Sequence, residues 1–362
     1  MTINLRDVQD VYKDAGSDII FATLDLKRED AAADKAMIAD LAEHLPAFIN
    51  SMNIRYPDAK LAVAFGLSRK AWDYLFPAAP VPKELEEFQP VVGPKYTAVA
   101  TPADLFFHIR SQNSAVPFEL MSEIMTIIDD QTVTLDETHG FRYFEGRAII
   151  GFVDGTENPS ALDTPEYAVI GDEDPTFENG SYAFAQKYQH NMKAWNDLTT
   201  EDQEKAIGRK KFNDIELADE KKLPNAHNVV SQDNDGGVEH KIVRMNVPFS
   251  NPAKNENGTY FIGYARHWMV TKRMLQGMFD NSDRLLDFST PETGELFFIP
   301  SKSVLGKICG RRTLNKSCLI RETPRKLLHG TLPKPSPAAW QRVISSRLFP
   351  VSFYVWLTFI HQ

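Results

Sequence analysis

One unit of sequence, a strand followed closely by a helix, occurs twice in this chain and constrains its fold more than any other feature. The first copy joins ADLFFHIR (103–110) to PFELMSEIMTII (117–128), and the second joins GTYFIGYARH (258–267) to MVTKRMLQGMF (269–279). The apolar runs predict strands, and apolar residues near a 3.6-residue period predict helices. Antiparallel sheets with helices on one face, repeated as two modules of an α+β fold, satisfy this order.

Each copy of the unit is preceded by further strands and helices. In the first series we predict a strand at 17–26, an amphipathic helix at 30–52, and a strand running into a short helix at 59–76. In the second series we predict a strand at RAIIGFVDG (147–155), a helix at 201–210 and a strand at HKIVRMNVPF (240–249).

The distribution of charge marks a boundary near residue 306. From residue 307 to the end, ten Lys or Arg face one acid, Glu322, giving +9; the total of −9 leaves −18 for the first 306 residues. We therefore divide the chain into 1–150, 151–306 and a basic tail at 307–362, which we expect to be non-catalytic.

The tail contains an apolar run, LFPVSFYVWLTFI, of 13 residues. That run is shorter than the stretch of about 20 residues that a membrane-spanning helix needs. We interpret the tail as a poorly ordered extension that contributes nothing to activity, with a peripheral membrane or partner-docking segment as the alternative.

Composition excludes several classes of function. The net charge of −9 argues against a nucleic acid as partner. The two cysteines, Cys309 and Cys318, are too few for a disulfide framework or a four-cysteine metal site, and they agree with a reducing compartment. The N-terminal MTINLRDVQD has no apolar stretch of signal-peptide length, so we expect a cytoplasmic protein.

Two acids, Asp154 and Glu157, follow the apolar run RAII in the turn GFVDGTENPS. Asp-Gly after a hydrophobic run is by itself an ordinary turn signal. The segment 155–226 that follows is polar and strongly charged, and we interpret it as a long surface excursion. At its end lies His227, followed by Arg244, which alternates with apolar neighbours and therefore points to the opposite face of its strand.

The spacing of these residues resembles that of the dye-decolorizing peroxidase family of haem enzymes. The chain has GFVDGTENP, a His 73 positions after its Asp, and an R-x-N-x-P strand 17 positions beyond that His. The likeness includes YFIGYAR and LLDFSTPETGELFFIPS, and it covers most of residues 15–303. It implies two ferredoxin-like modules, haem b (iron protoporphyrin IX) held in the C-terminal one, and a homo-oligomer. The tail after about residue 305 departs from the family pattern.

The resemblance also implies roles for single residues. His227 would be the axial ligand of the haem iron, with Asp287 as our candidate acceptor for its other ring nitrogen. Gly155 would let the backbone turn close to the porphyrin. On the opposite face of the haem, Asp154 would act as general acid and base on hydrogen peroxide.

Arg244 would stabilise negative charge on the peroxide oxygens and pair with a haem propionate. Asn246, two residues along the same strand, would hydrogen-bond to peroxide or to Asp154. Glu157 we interpret as a support for the loop.

The implied function is a haem peroxidase that reduces hydrogen peroxide and oxidises bulky aromatic dyes or small phenols. An aspartate base predicts an optimum below neutral pH. Two alternatives stay open: a haem-handling protein with incidental peroxidase activity, and a metal-free α+β binding module carried by the tail to a membrane or partner.

Other aromatic and histidine residues receive no site role. Electron transfer through Trp195, Tyr264 and Trp268 is plausible, but ordinary packing is our preferred interpretation of each. We interpret His190, His240 and His267 as surface or packing residues, because their spacing is not that of a zinc site.

Overall fold

The computed structural model describes residues 3–308; Cys309, Cys318 and the apolar run at 348–360 lie outside them. The strands are β1 (Asp18–Leu26), β2 (Ala62–Ser68), β3 (Val91–Val92), β4 (Thr97–Ala98), β5 (Leu105–Ser111), β6 (Thr132–Phe141), β7 (Ser181–His190), β8 (Asp233–Asp235), β9 (Val238–His240), β10 (Val243–Asn251), β11 (Glu256–Ala265), β12 (Ser289–Pro291) and β13 (Glu295–Ile299). The α-helices are α1 (Ala31–Arg55), α2 (Arg69–Leu75), α3 (Ala115–Ile128), α4 (Thr164–Ala168), α5 (Met192–Asn196), α6 (Thr200–Ile207), α7 (His227–Val230), α8 (Trp268–Asp280) and α9 (Lys302–Ile308).

Nine of these strands form one antiparallel sheet in the order β10-β11-β7-β13-β2-β5-β1-β6, with β12 paired to β7. The order β2-β5-β1-β6 places the second, third, first and fourth strands of the N-terminal series side by side. The order β10-β11-β7-β13 repeats this arrangement for the C-terminal series. The prediction of an α+β fold with two ferredoxin-like antiparallel modules is confirmed.

The two end strands of this sheet, β6 and β10, approach each other. A methyl group added to Gly140 on β6 would overlap the Val247 side chain on β10, so only glycine permits the contact. The inner face of the sheet is filled by a core that includes Phe21, Phe106 and Tyr260. A separate core on the outer face packs beneath the long helices.

Helix α1 shows why the outer layer forms where the sequence predicts it. Asp30 caps its start by accepting hydrogen bonds from the backbone N–H groups of Ala32 (2.8 Å) and Ala33 (3.2 Å). Ile38 and Leu41, three positions apart, then face the sheet and are fully buried. Within the part of the chain that the structure describes, no helix is both long enough and apolar enough to cross a membrane.

Two predicted elements are wrong. RAIIGFVDG is a series of turns with an isolated bridge between Arg147 and Val153, because Gly151 and Gly155 adopt left-handed backbone angles (φ +94° and +78°) that interrupt a strand. The supposed surface excursion contains β7, a strand inside the sheet whose residues are mostly buried.

Candidate active site

A large cavity lies between the C-terminal half of the sheet and the segments that connect its strands. One wall is formed by β7, β10 and β11, and the others by the loop around residues 148–157, the segment from α6 to α7, and α8. Its empty volume is about 1210 Å³, a figure that includes the opening to solvent. Much of its lining is apolar: Ile150, Phe152, Ile207, Ile242, Phe261, Met274, Leu275, Met278, Leu285 and Leu286.

Five of the six predicted site residues line this cavity: Asp154, Gly155, His227, Arg244 and Asn246. Asp154 and His227 are 73 positions apart in sequence. The fold therefore brings together groups that local sequence keeps separate. The chemical roles that we assign to them stay predictions.

Asp154 is held by two hydrogen bonds from one residue of β10. The Asn246 side-chain amide donates to Oδ1 at 2.6 Å, and the Asn246 backbone N–H donates to Oδ2 at 2.9 Å. Burial raises the pKa of the Asp154 carboxyl above its usual range, and the bonds from Asn246 oppose part of that increase. The carboxylate is thus oriented on both oxygens, with a proton affinity higher than that of a solvated aspartate.

Arg244 is positioned through its backbone by Asn158. The Arg244 N–H donates to Asn158 Oδ1 at 2.9 Å, and Asn158 Nδ2 donates to the Arg244 carbonyl at 2.8 Å. The Asn158 side chain therefore forms the two backbone hydrogen bonds that a neighbouring strand would form at the edge of the sheet. The guanidinium itself donates to the Ser231 carbonyl at 3.4 Å. Burial lowers the pKa of Arg244, but from so high a starting value that the group stays cationic.

Glu157 pairs with Arg209 rather than with Arg244. Both residues line the cavity. This pair ties the Asp154 loop to the segment after α6, and Arg209 also donates to the Asp214 carbonyl at 3.1 Å. This agrees with a supporting part for Glu157. Sequence reasoning did not identify Arg209, since it lies in a run of charged residues with no distinguishing spacing.

His227 is the first residue of α7, and its ring is oriented by Asp283, not by Asp287. His227 Nδ1 lies 2.7 Å from Asp283 Oδ2, and the Asp283 side chain is fully buried. Asp283 Oδ1 also accepts from the Leu285 backbone N–H at 2.9 Å, which keeps the carboxylate in place. Within residues 3–308, the Nε2 atom of His227 forms no hydrogen bond, so it is available to a ligand in the cavity.

The assignment of Asp287 as the acceptor is therefore wrong. Asp287 is bonded to Lys95, Tyr96 and Arg284. Asp283 caps the four-residue 3-10 helix Arg284–Asp287, and this turn directs the two carboxylates to different partners. Both acids stand near the motif LLDFS, and the sequence carries no signal that distinguishes them.

The cavity wall also contains a histidine that sequence reasoning assigned to surface or packing. His190 lies on β7, with Nδ1 at 2.8 Å from Ser289 Oγ and Nε2 at 2.7 Å from Thr259 Oγ1. Burial lowers the pKa of His190 to about 4, so the ring is neutral near pH 7. Both ring nitrogens are occupied, and His190 is therefore a less suitable iron ligand than His227.

The donor set suits a haem. An imidazole nitrogen without a hydrogen-bond partner on one wall matches an iron ligand, and the apolar side chains match a porphyrin. Arg244, whose hydrogen bond to Ser231 is long, offers a cation for a propionate. Among the described residues, no cluster of three or more His, Cys, Asp or Glu could hold a separate metal ion.

Comparisons with known proteins agree with this chemistry. Family models described as Dyp-type peroxidase, N-terminal and C-terminal, match residues 9–142 and 145–304. A dye-decolorizing peroxidase of Mycobacterium tuberculosis is 45% identical over 278 residues, which are 75% of this chain and 82% of that protein.

Solved structures give the same result. A crystal structure of a dye-decolorizing peroxidase from Bacteroides thetaiotaomicron is 49% identical with a TM-score of 0.79, and the match covers 83% of this chain and 98% of that one. A variant of DypB from Rhodococcus jostii RHA1 in complex with heme is 40% identical with a TM-score of 0.79, covering 82% and 97%.

Proposed function

This chain belongs to the Dyp-type peroxidase family and is a haem peroxidase, and on that premise we propose that Asp154, Arg244 and His227 divide the work of reducing hydrogen peroxide. The observation that carries the proposal is their arrangement in one cavity, with Asp154 held on both carboxylate oxygens by Asn246. When bound, haem b supplies two electrons to the peroxide and later regains them from a reductant.

Asp154 moves the proton. Its ionised carboxylate accepts the proton of the peroxide oxygen that stays behind and donates it to the oxygen that leaves as water. A positioned acid and base of this kind contributes about 10²- to 10⁴-fold to a rate. The bonds from Asn246 fix the direction of the lone pairs, so the carboxylate needs no reorganisation before the transfer.

Arg244 stabilises charge. Because it keeps its cation at any working pH, it favours negative charge that develops on the peroxide oxygens and pairs with a propionate. The Asn158 amide sets the backbone of Arg244, and through it the place of the guanidinium. Gly155, with φ +78°, turns the loop back immediately after Asp154.

His227 would hold the haem iron through Nε2, and Asp283 orients the imidazole. A carboxylate accepting from Nδ1 fixes the tautomer with its lone pair on Nε2 and makes the imidazole a stronger donor. The lining residues run from Ala148 to Ser289, which supports the proposal that the C-terminal module would hold the haem.

The reductants that we propose are bulky aromatic dyes and small phenols. Support comes from the similarity of this chain to dye-decolorizing peroxidases of Mycobacterium tuberculosis and Brevibacterium linens. A bulky dye needs a binding site outside the cavity, because the haem would occupy the cavity itself. Trp195, Tyr264 and Trp268, the aromatics considered as relays, are all buried.

We further propose a cytoplasmic homo-oligomer. Cysteine usage supports a reducing compartment. Phe144, Leu162 and Phe212 expose 67%, 91% and 89% of their surface, and contacts between subunits would cover such apolar side chains. Light scattering after size exclusion measures the mass, and a monomer at every concentration tested would contradict the assembly.

The deciding experiment mixes haem-loaded protein with hydrogen peroxide and follows the haem absorption band. We expect a rapid change in the wild type and a rate about 10²- to 10⁴-fold lower in Asp154→Asn. Glu157→Gln is the matched control, because it changes the neighbouring loop acid that pairs with Arg209, and it should stay near the wild-type rate. An unchanged rate in Asp154→Asn contradicts the base role, and slow bleaching of the wild type favours a haem-handling protein.

A further inference from the structure

The inner face of the sheet contains a tyrosine and a histidine joined by one short hydrogen bond. Tyr264 Oη and His108 Nδ1 are 2.7 Å apart, and both side chains are fully buried. Both lie on the inner face of the sheet, away from the cavity. Two groups that can exchange a proton are thus held together out of contact with water.

The protonation state of this pair follows from its surroundings. Burial, with a smaller contribution from the charge of Arg110, lowers the pKa of His108 well below its usual range, so the imidazole is neutral. Burial raises the pKa of Tyr264, so the phenol keeps its proton. Within the described residues, His108 Nε2 has no hydrogen-bond partner. In the hydrogen bond between the two residues, the Tyr264 phenol therefore donates and the lone pair of His108 Nδ1 accepts.

The pair stands directly behind the residues that we assign to peroxide chemistry. Arg244 on β10 is paired with Gly263 on β11, and Tyr264 is the next residue. Neighbouring strands are about 4.8 Å apart, and successive side chains point to opposite faces. The phenol is therefore separated from the Arg244 side of the sheet by the thickness of the sheet itself.

Other rings enclose the pair. The ring centroids of His108 and Phe21 are 4.4 Å apart, and those of Phe21 and Tyr260 are 4.0 Å apart, with interplanar angles of 18° and 5°. The His108 and Tyr264 rings are also close to parallel, at 13°. This stack excludes water from the phenol, which protects any oxidised form of it from side reactions.

We infer that Tyr264 and His108 form an internal redox pair, an inference that rests on the peroxidase function. After peroxide has oxidised the haem centre, Tyr264 gives that centre one electron and passes its phenolic proton to His108 Nδ1. The O–H bond breaks as an N–H bond forms; tyrosine is oxidised by one electron and the haem centre is reduced by one. An aromatic reductant returns the electron, and the proton then moves back to the phenol oxygen.

The charges around the pair allow this transfer. A phenol that has lost an electron is a strong acid, so it releases its proton even to a weak base such as buried His108. Arg110 lies nearby and opposes the new positive charge, but its guanidinium is bonded to the backbone carbonyls of Lys13 (3.0 Å) and Asp14 (2.6 Å). Burial lowers the pKa of Arg110, and the negative charges of the Asp10 and Asp14 carboxylates raise it.

The test is electron paramagnetic resonance of samples frozen after haem-loaded protein is mixed with one equivalent of hydrogen peroxide without reductant. We expect a tyrosyl signal in the wild type and in Tyr260→Phe, and its loss in Tyr264→Phe. Tyr260 is the matched control, because it is buried in the same core and stacks on Phe21. His108→Phe, which keeps a ring but removes Nδ1, should reduce the yield of the signal at least severalfold.

The outcomes separate this inference from the peroxidase function. The haem absorption change on mixing reports peroxide reduction, and it should be equally fast in Tyr264→Phe, Tyr260→Phe and the wild type. A wild type that reacts with peroxide but gives no tyrosyl signal overturns the redox pair, as does an unchanged signal in Tyr264→Phe. Loss of thermal stability in Tyr264→Phe with no radical in the wild type would identify a packing hydrogen bond only.

Discussion

The two halves of the sheet have the same strand order, but only one of them borders the cavity that contains Asp154, His227 and Arg244. In the N-terminal half, α1 covers the sheet between β1 and β2 with a continuous apolar stripe. In the C-terminal half, the corresponding connection from β7 to β10 spans residues 191–242 and contains the short helices α5, α6 and α7. Replacing one long helix by an irregular connection leaves the space that the site occupies.

This comparison also explains which polar residues are tolerated in each half. In the N-terminal half, α1 buries Ile38 and Leu41 against the sheet. In the C-terminal half, the same layer contains His227, whose ring is held by the buried Asp283. A protein layer that is not filled by packing can hold a cofactor, provided that its polar groups are oriented by neighbours.

The largest effect should come from His227→Ala. His227 is the proposed iron ligand in the C-terminal half, and its removal should lower haem affinity by more than about 100-fold. Changes to residues that only orient such a metal ligand already lower affinity by about 10- to 100-fold. Haem titration followed by absorption measures this. His240→Ala, which removes an imidazole outside the cavity lining, should bind haem like the wild type. Equal affinity in His227→Ala would show that the cavity does not bind haem through this residue.

Two matched truncations test whether the N-terminal half has a filled core where the C-terminal half has a ligand cavity. Leu41→Ala in α1 should reduce the free energy of unfolding by about 2–5 kcal/mol, because it leaves a hole in a filled core, and should leave haem affinity unchanged. Leu275→Ala in α8 removes a side chain that lines the cavity and should weaken haem binding as well. Denaturant unfolding and haem titration measure the two quantities. Similar haem affinities in both variants would contradict the distinction between the halves.

Two carboxylates in one turn allow a finer test. Asp283→Asn should lower haem affinity by about 10- to 100-fold, because the amide is an uncharged and weaker acceptor for the His227 ring than the carboxylate. Asp287→Asn changes an acid four positions away that pairs with Lys95, and haem affinity should stay within about twofold of the wild type. A larger loss in Asp287→Asn than in Asp283→Asn would reverse the assignment made from the hydrogen bonds.

The smallest expected effect is a shift in pH dependence. Asp154 must be ionised to act as the base, and burial raises its pKa, so kcat/KM should fall as pH decreases through a value above that of a solvated aspartate. Asn246→Ala removes a hydrogen bond to the charged form, worth about 1.5–3 kcal/mol. The acid limb should therefore move up by about 1–2 pH units, at about 1.4 kcal/mol per unit.

The control for this shift is Asn257→Ala, which lies at the far end of the β10–β11 ladder and bonds to Ser250. Its pH profile should match the wild type. An acid limb that moves down in Asn246→Ala would mean that Asn246 favours the neutral form of Asp154.

Much of the fold could be predicted because periodic apolar patterns survive in the elements that pack tightly. Strands β1, β2, β5, β10 and β11 and helices α1, α3, α6 and α8 all lie within or close to the predicted segments. Strand β7 was missed because it carries polar residues such as Gln186 and His190. His190 is satisfied by hydroxyl groups from other strands, and that pairing cannot be inferred from local sequence.

The candidate site divides in the same way. The spacing of Asp154, His227 and Arg244 was enough to identify the family and to place the three residues in one site. The residues that position them could not be predicted from the sequence. Asn158 is hydrogen-bonded to the backbone of Arg244, 86 positions away, and Asp283 to the ring of His227, 56 positions away. Such partners depend on side-chain direction, which residue type and spacing do not specify.

By itself, the sequence determined the class of fold, the family and the chemical types gathered for the reaction, because apolar period and residue spacing are properties of the chain read in order. Only the tertiary structure decided which carboxylate orients His227, which strand lines the cavity, and that Tyr264 meets His108 behind it. The physical reason is that a hydrogen bond depends on the distance and angle between atoms, and residues far apart in sequence acquire these only when the sheet is assembled.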